Sequence, residues 1–518
     1  MNPSPTAPLT PEFRLISDLI RGHAAEAGAH IALRAEGRSL SYAELDAWMD
    51  RAAAALQRDG LQPGDAIAIC AASSVDYAAL FLGALRAGVV VAPLAPGSGV
   101  DSLRRMVGDA RARRLFCDAH GAESLGPAAA GDVTRIALDD GPHGQPLSAW
   151  LAPRGARPEP VRPEPTAPFN IIYSSGTTGE PKGIVQSHGM RWTHVMRGST
   201  YGYGRDTVTL LSTPLYSNTT LVVFFPTLAY GGTVVLMPKF DARRYLELAQ
   251  QHRVTHTMLV PVQYQRLMAV PDFDRFDLSS YRMKFCTSAP FHAALKADVL
   301  ARWPGGLVEF YGMTEGGGTC LLEAHLHPDK LHTVGKPAVG HDIRLIDDQG
   351  VEVARGEAGE VVGHSGGMMN GYHGRPEKTR EAEWYAPDGK RFIRTGDIGR
   401  FDADGFLILF DRKKDMLISG GFNVYPSDLE AVLRPHPAVL EVAVIGVPSE
   451  RWGETPVAFV VPRAGTAPDA AELLAWTNAQ LGKTQRLSDL QLIDELPRSA
   501  IGKILKRELR ERVAGRVA

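Results

Sequence analysis

The sequence predicts an α/β protein: a large N-terminal domain of helix-covered β-sheets followed by a small C-terminal α+β domain. Three observations carry this. At 518 residues the chain exceeds one ordinary core. Helix-period and strand-like segments alternate through most of it. The character then changes near residue 411, where DRKKDMLISGG packs charge, an apolar patch and paired glycines together. The predicted boundary therefore separates residues 1–411 from 412–518, the latter long enough for a small independent domain.

The elements follow in order. YAELDAWMDRAAAALQRDG has helical apolar spacing, DAIAIC is strand-like, VDYAALFLGALRAG returns to helix and VVVAPL to strand. The run 152–168, dense in proline and arginine, reads as a surface connector. FNIIY then reads as a buried strand, and VTLLSTPLY, GGTVVLMP and THTMLVPV resume the pattern. Beyond 411, PSDLEAVLRP and DAAELLAWTNAQL suit helices, VLEVAVIGVP and VAFVV strands, and KILKRELRER a basic helix-like tail. No solenoid-period repeat is present.

A composition of 44% hydrophobic and 22% charged residues is that of a globular chain, and a formal net charge of -2 gives no general attraction to nucleic acid or anionic membrane. Small-molecule partners are expected. Cys70, Cys117, Cys286 and Cys320 lack paired spacing, so neither a zinc site nor a disulfide framework is predicted. With no export signal or membrane span legible, a cytoplasmic location is expected.

Between residues 173 and 183 the chain reads YSSGTTGEPKG. Glycines open backbone conformations closed to other residues, and hydroxyls and a lysine add donors and positive charge, a pattern suited to wrapping polyphosphate. It is not a Walker loop, because Pro181 precedes Lys182 and Gly183 follows it. Four further segments stand out: TPLYSNTT (213–220), EFYGMTEGGG (309–318), RTGDIGRFDADG (394–405) and PRSAIGKILKR (497–507).

In this order and at these intervals, the motifs resemble those of the AMP-forming acyl-CoA synthetases, the adenylate-forming acyl/aryl-CoA ligase superfamily. The resemblance runs from about residue 40 to the C-terminus. It implies that a carboxylate attacks the α-phosphorus of ATP, giving an acyl adenylate and pyrophosphate, and that the thiol of coenzyme A then displaces AMP. The substrate brings its own nucleophile, so the protein supplies positioning and charge stabilisation.

By the same resemblance, Ser174, Ser175, Gly176, Thr177, Thr178, Gly179 and Lys182 cradle the β- and γ-phosphates. Tyr311 stacks on adenine, with Gly312, Met313, Ser288, Ala289 and Pro290 around the nucleotide. Thr314 bonds the α-phosphate, and Glu315 places Mg²⁺, which takes few protein ligands because it retains water. Asp397 accepts from the ribose hydroxyls and Arg412 makes a second ribose or phosphate contact. Lys503 neutralises charge developing at the α-phosphate in the first half-reaction. Lys414 is the hinge about which the small domain turns for the second. Gly420 and Gly421 line the pantetheine tunnel, and Trp452 lies near the CoA nucleotide or in the small-domain core. Trp192, Tyr216, Ser217, Asn218, Tyr264, Gly316 and Gly317 wall the acyl pocket. Ser217 stands where relatives commonly carry histidine, and the glycine triplet 316–318 either leaves room for a bulky group or serves a turn.

The resemblance thus implies ATP, Mg²⁺ and coenzyme A, a small carboxylic acid of open identity, and a homodimer. Two alternatives stay open: an adenylate-forming enzyme that loads a separate acyl carrier protein or oxidises the adenylate, and a non-catalytic ligand sensor on the same fold.

Overall fold

A computed structural model describes residues 9–126, 133–175, 181–419, 422–449, 451–483, 485–499 and 502–517. By internal contacts the chain divides into two units, the first comprising 1–331, 337–342 and 364–393, the second 332–336, 343–363 and 394–518.

The first unit is built on two sheets. One runs in the order Gly371–Tyr372, Pro181–Ser187, Pro168–Ser175, Val90–Leu94, Ala66–Cys70, Ala112–Cys117, Thr134–Ala137 and Gln145–Pro146. It is parallel from Pro168–Ser175 onward and antiparallel at the other edge. The other contains Cys320–Glu323, Gly306–Tyr311, Met283–Cys286, His256–Leu259, Val208–Leu211, Thr233–Leu236, Ile31–Ala35 and Arg38–Ser41 in that order. A single core of buried side chains reaches from helices Ile16–Ala27, Tyr42–Arg58 and Val75–Arg86 to Asn218–Ala229. Val75–Arg86 is buried almost all round, which explains why its sequence lacks a polar face. The charge at its C-terminal end, Arg86, is matched by Asp46 and Asp50.

Most predicted elements are present, with trimmed ends. Tyr42–Arg58 starts at a capping box in which Ser41 and Glu44 satisfy each other's backbone N–H groups. The strand in VTLLSTPLY stops at Leu211, before Pro214, which has no N–H to give a ladder. THTMLVPV likewise yields only His256–Leu259, because Pro261 opens the helix Pro261–Met268.

In the second unit, the strands Phe422–Val424, Leu417–Ser419, Gly453–Pro462 and Val439–Ser449 form a sheet, with Asp489–Leu492 parallel to Gly453–Pro462. Its side chains alternate between two cores. Val442, Val444, Ala458 and Val460 pack with Leu429 and Leu473 on one face. Ala443, Ile445, Val457 and Phe459 pack with Leu496 and Leu509 on the other. A sheet covered on both faces needs the continuous apolar runs VAVIGV and VAFVV. Both cores are drawn from residues 417–513. The same unit also holds 394–411, so the predicted boundary falls inside it.

No helix among the described residues is long and apolar enough to cross a membrane. All four cysteines are free and buried.

Candidate active site

The glycine-rich stretch joins two antiparallel strands. Ser174 is registered opposite Lys182 and Ser175 opposite Pro181, so the hairpin base is fixed by the ladder. Gly176, Thr177, Thr178 and Gly179 lie outside the described residues, as does the Ser175 side chain. The edge strand Gly371–Tyr372 pairs with Ile184 and Val185 of the same hairpin. This places Tyr372, which the motif reading passed over, beneath Lys182, whose ammonium sits 5.1 Å from the ring centroid. The Tyr372 hydroxyl donates to Glu315 Oε1 at 2.9 Å. Burial, together with the Glu315 charge, keeps that phenol protonated far above its ordinary range. One tyrosine thus links the lysine and the carboxylate, and the only signal for it in sequence was an aromatic beside glycine in NGYHGRP.

Tyr311 ends the strand Gly306–Tyr311 and is half-buried. The chain then turns: Gly316 N–H donates to Met313 O, and Glu315 O accepts from Met369 N–H at 2.8 Å. Gly316 (φ 80°) and Gly317 (φ 76°) both occupy the left-handed region. A Cβ on Gly316 would lie 2.1 Å from Gly367 O. Backbone geometry therefore accounts for Gly316 by the turn, one of the two readings the glycine triplet left open.

A buried polar chain ties Thr314 to the segment at Ser217. Gln186 donates to Thr314 O at 2.8 Å and to Asn218 Oδ1 at 3.3 Å. Its own Oε1 accepts from Asn170 and from Arg191. Ser217 caps the helix Asn218–Ala229, accepting from Thr219 N–H. The Thr219 hydroxyl is 2.6 Å from that of Ser288, a non-glycine residue at φ 83°. Strain of this kind persists only where surroundings over-determine it and gathers at functional sites. Ser288 and Ala289 are half-buried and Pro290 is exposed, and Met313 and Tyr216 are half-buried.

Two expected pocket walls are core side chains instead. Tyr264 has no exposed area, donates to Phe285 O and stacks on Phe291. Trp192 is buried, donates to Pro11 O and meets Phe13 edge-on. With their surfaces and donors so used, neither can face an acid without repacking.

In the second unit, Asp397 and Arg412 are opposite one another across two strands and form an ion pair at 3.1 Å. Lys503 lies in their field. It keeps solvent access, yet the packing around it, with the Arg412 and Lys414 charges opposed by Asp397 and Asp415, draws its amine down to about 8. Lys414 is an exposed residue in the turn after Leu407–Arg412. Trp452 is half-buried, with the Arg451 guanidinium 5.0 Å from its ring centroid. Gly420 and Gly421 lie outside the described residues.

The AMP-binding enzyme family matches residues 20–373, and the C-terminal domain of the same family matches 428–503. The chain belongs to the AMP-forming acyl-CoA synthetases. Among its relatives, a feruloyl-CoA synthase from Amycolatopsis sp is 37% identical over 93% of this chain and 95% of that protein. The indoleacetate–CoA ligase of Aromatoleum aromaticum is 34% identical over 96% and 98%. ATP-bound MatB from Rhodopseudomonas palustris has a similar structure, with a TM-score of 0.84 at 30% identity over 96% of this chain and 98% of that one. The amide bond synthetase McbA from Marinactinospora thermotolerans gives 0.85 at 29% identity, over 96% and 99%. The synthetase is accordingly an enzyme that ligates a carboxylic acid to CoA at the expense of ATP, through an acyl adenylate.

Tyr372→Phe tests the link between Lys182 and Glu315. It removes one hydrogen bond to a charged group, worth about 1.5–3 kcal/mol, and keeps the ring under the lysine. The expected result is a raised KM for ATP with an intact fold, read by steady-state kinetics and thermal melting.

Proposed function

We propose that this synthetase activates an aromatic or arylalkanoic acid, with its own side chains positioning ATP and acid for in-line attack. The acid class rests on the relatives named for ferulic and indoleacetic acids. The observation that carries the division of roles is the hydrogen-bond path Thr314–Gln186–Asn218, which joins the proposed α-phosphate contact to the proposed acyl wall. Any shift of the acid is thereby felt at the reacting phosphorus, which is what a positioning catalyst requires.

In this reading Ser174 and Lys182 hold the β- and γ-phosphates, with Ser175 to Gly179 completing the cradle. Thr314 bonds the α-phosphate. Tyr311, Gly312 and Met313, with Ser288, Ala289 and Pro290, bound the adenine and ribose. Asp397 accepts from ribose and Arg412 sets its position. Lys503 stabilises the charge that grows on the α-phosphate oxygens during attack. Tyr216, Ser217, Asn218 and Gly317 flank the acid, Lys414 serves as hinge, and Gly420, Gly421 and Trp452 receive CoA.

A Mg²⁺ ion fits the donor set. No group of three metal-ligating side chains exists among the described residues, and Mg²⁺ bound to nucleotide needs only one or two carboxylates. Glu315 supplies one, oriented through Oε1 by Tyr372. When bound, the ion offsets phosphate charge. A cytoplasmic location and a homodimer complete the proposal.

The test is pyrophosphate release from ATP across aryl, arylalkanoic and fatty acids, with and without CoA, followed by mass detection of the thioester. CoA-dependent thioester from the aryl acids supports the reading. Preference for simple fatty acids overturns the acid class.

A further inference from the structure

The helix His188–Met196 and the short 3-10 turn Arg197–Ser199 after it carry two guanidinium groups, Arg191 and Arg197, with His194 between them. The Arg197 guanidinium lies 3.4 Å from His341 Nε2, which carries the ring proton when Nδ1 accepts from Thr319 N–H, and among the described residues it has no other side-chain hydrogen-bond neighbour and no carboxylate within ion-pair distance. The contrast with Arg86 is sharp, since that buried guanidinium meets two aspartates. Desolvation opposes the Arg197 charge, and Tyr201 is the group set against that cost. Burial holds His194 neutral well below its ordinary range and brings His341 down to about 4. Burial also pushes the Tyr201 phenol up to about 12, so it carries no charge at neutral pH. Arg191, the next cation, has already spent two N–H groups on Asn170 and Gln186. His194 Nδ1 and Arg191 Nη1 are buried without any hydrogen-bond partner.

A guanidinium in such surroundings is costly unless an acceptor meets it. His194, Arg197 and His341 all keep intermediate exposure although desolvation dominates their ionisation. The group adjoins the loop after Tyr311. His341 Nδ1 accepts from Thr319 N–H at 2.9 Å, directly after the glycine triplet. Thr193 packs where a Cβ on Gly367 would go, and Gly367 O covers Gly316. Tyr201 meets Phe310, the residue before Tyr311, edge-on at 6.1 Å.

We propose that Arg197 binds an acceptor oxygen at the far end of the acid substrate, a second carboxylate in preference to a phenolic hydroxyl, and so selects acids that carry one. Guanidinium offers donors only, and a carboxylate both accepts from it and cancels its charge. This inference rests on the ligase reading above.

The experiment measures kcat/KM for acid-dependent pyrophosphate release with 3-phenylpropanoate and its para-hydroxy and para-carboxy derivatives, and with hexanoate against adipate. The wild type is expected to favour the carboxylated member of each set by about tenfold or more, with the para-hydroxy acid between. Arg197→Met should reduce that preference by about the same factor and raise relative turnover of the unsubstituted acids, while Arg197→Lys should keep the order. Wild-type preference for the unsubstituted acids, or an unchanged ratio in Arg197→Met, overturns the proposal. Failure of every acid to release pyrophosphate would instead overturn the ligase reading.

Discussion

Replacing Lys503 by alanine should reduce acyl-adenylate formation by about 10²–10³-fold while sparing thioester formation from pre-made adenylate and CoA, the magnitude being that of deleting one charge-stabilising donor aimed at a transition state. The asymmetry follows from chemistry. Attack on the α-phosphorus concentrates negative charge on the phosphate oxygens in the transition state, whereas thiol attack is at the acyl carbon, where charge builds first on the carbonyl oxygen before the C–O bond breaks and AMP leaves with that bond's electron pair. The pH dependence has a definite sign. Lys503 acts as the ammonium, and its pKa is lowered to about 8. The first half-reaction should therefore be full below pH 7 and fall as pH rises through about 8. The second should show no such fall. Lys503→Arg, charged at every accessible pH, should remove the alkaline limb at a reduced rate. Pyrophosphate exchange for the first step and single-turnover thioester formation for the second separate the two. Equal losses in both would defeat this division of labour.

Gly316→Ala is the second large effect. The new methyl would stand 2.1 Å from Gly367 O, a backbone atom, and the residue is held at φ 80°. The conformational penalty alone is about 1–3 kcal/mol. The clash must then be relieved by moving either the Gly367 segment or the turn that carries Thr314 and Glu315. Glu315 O also accepts from Met369 N–H, so the two segments move together. The expected outcome is a lower melting temperature and a kcat reduced more than KM for the acid. Gly366→Ala is the control, because a Cβ there meets nothing within 4 Å. Similar losses in both variants would show that the tight approach at Gly316 is not the cause.

Much of the architecture was legible because it obeys local rules. The helix Val75–Arg86 and the strands Ala66–Cys70 and Val90–Leu94 were visible as runs of the right period. The covered sheet of the second unit was visible in VAFVV for the same reason. Strand ends were not, where proline removed a ladder donor at Pro214 and began a helix at Pro261. The site was legible only where motif residues act in sequence-local groups, such as YGMTE. Tyr372, Gln186 and Arg197 escaped it, because each acts across a distance in sequence: Tyr372 on Glu315, Gln186 on Thr314, and Arg197 beside His341. Tyr264 and Trp192 erred the other way. Family position suggested a pocket, but an aromatic ring also suits a core, and only packing decides between them.

The central claim is that the acid's own carboxylate attacks the α-phosphorus of ATP. Its most direct test is isotope transfer: an active acid labelled with ¹⁸O in both carboxylate oxygens is turned over with ATP and CoA, and the AMP is weighed by mass spectrometry. One labelled oxygen per AMP is the predicted result. Unlabelled AMP, or label in inorganic phosphate with release of ADP, would contradict the account.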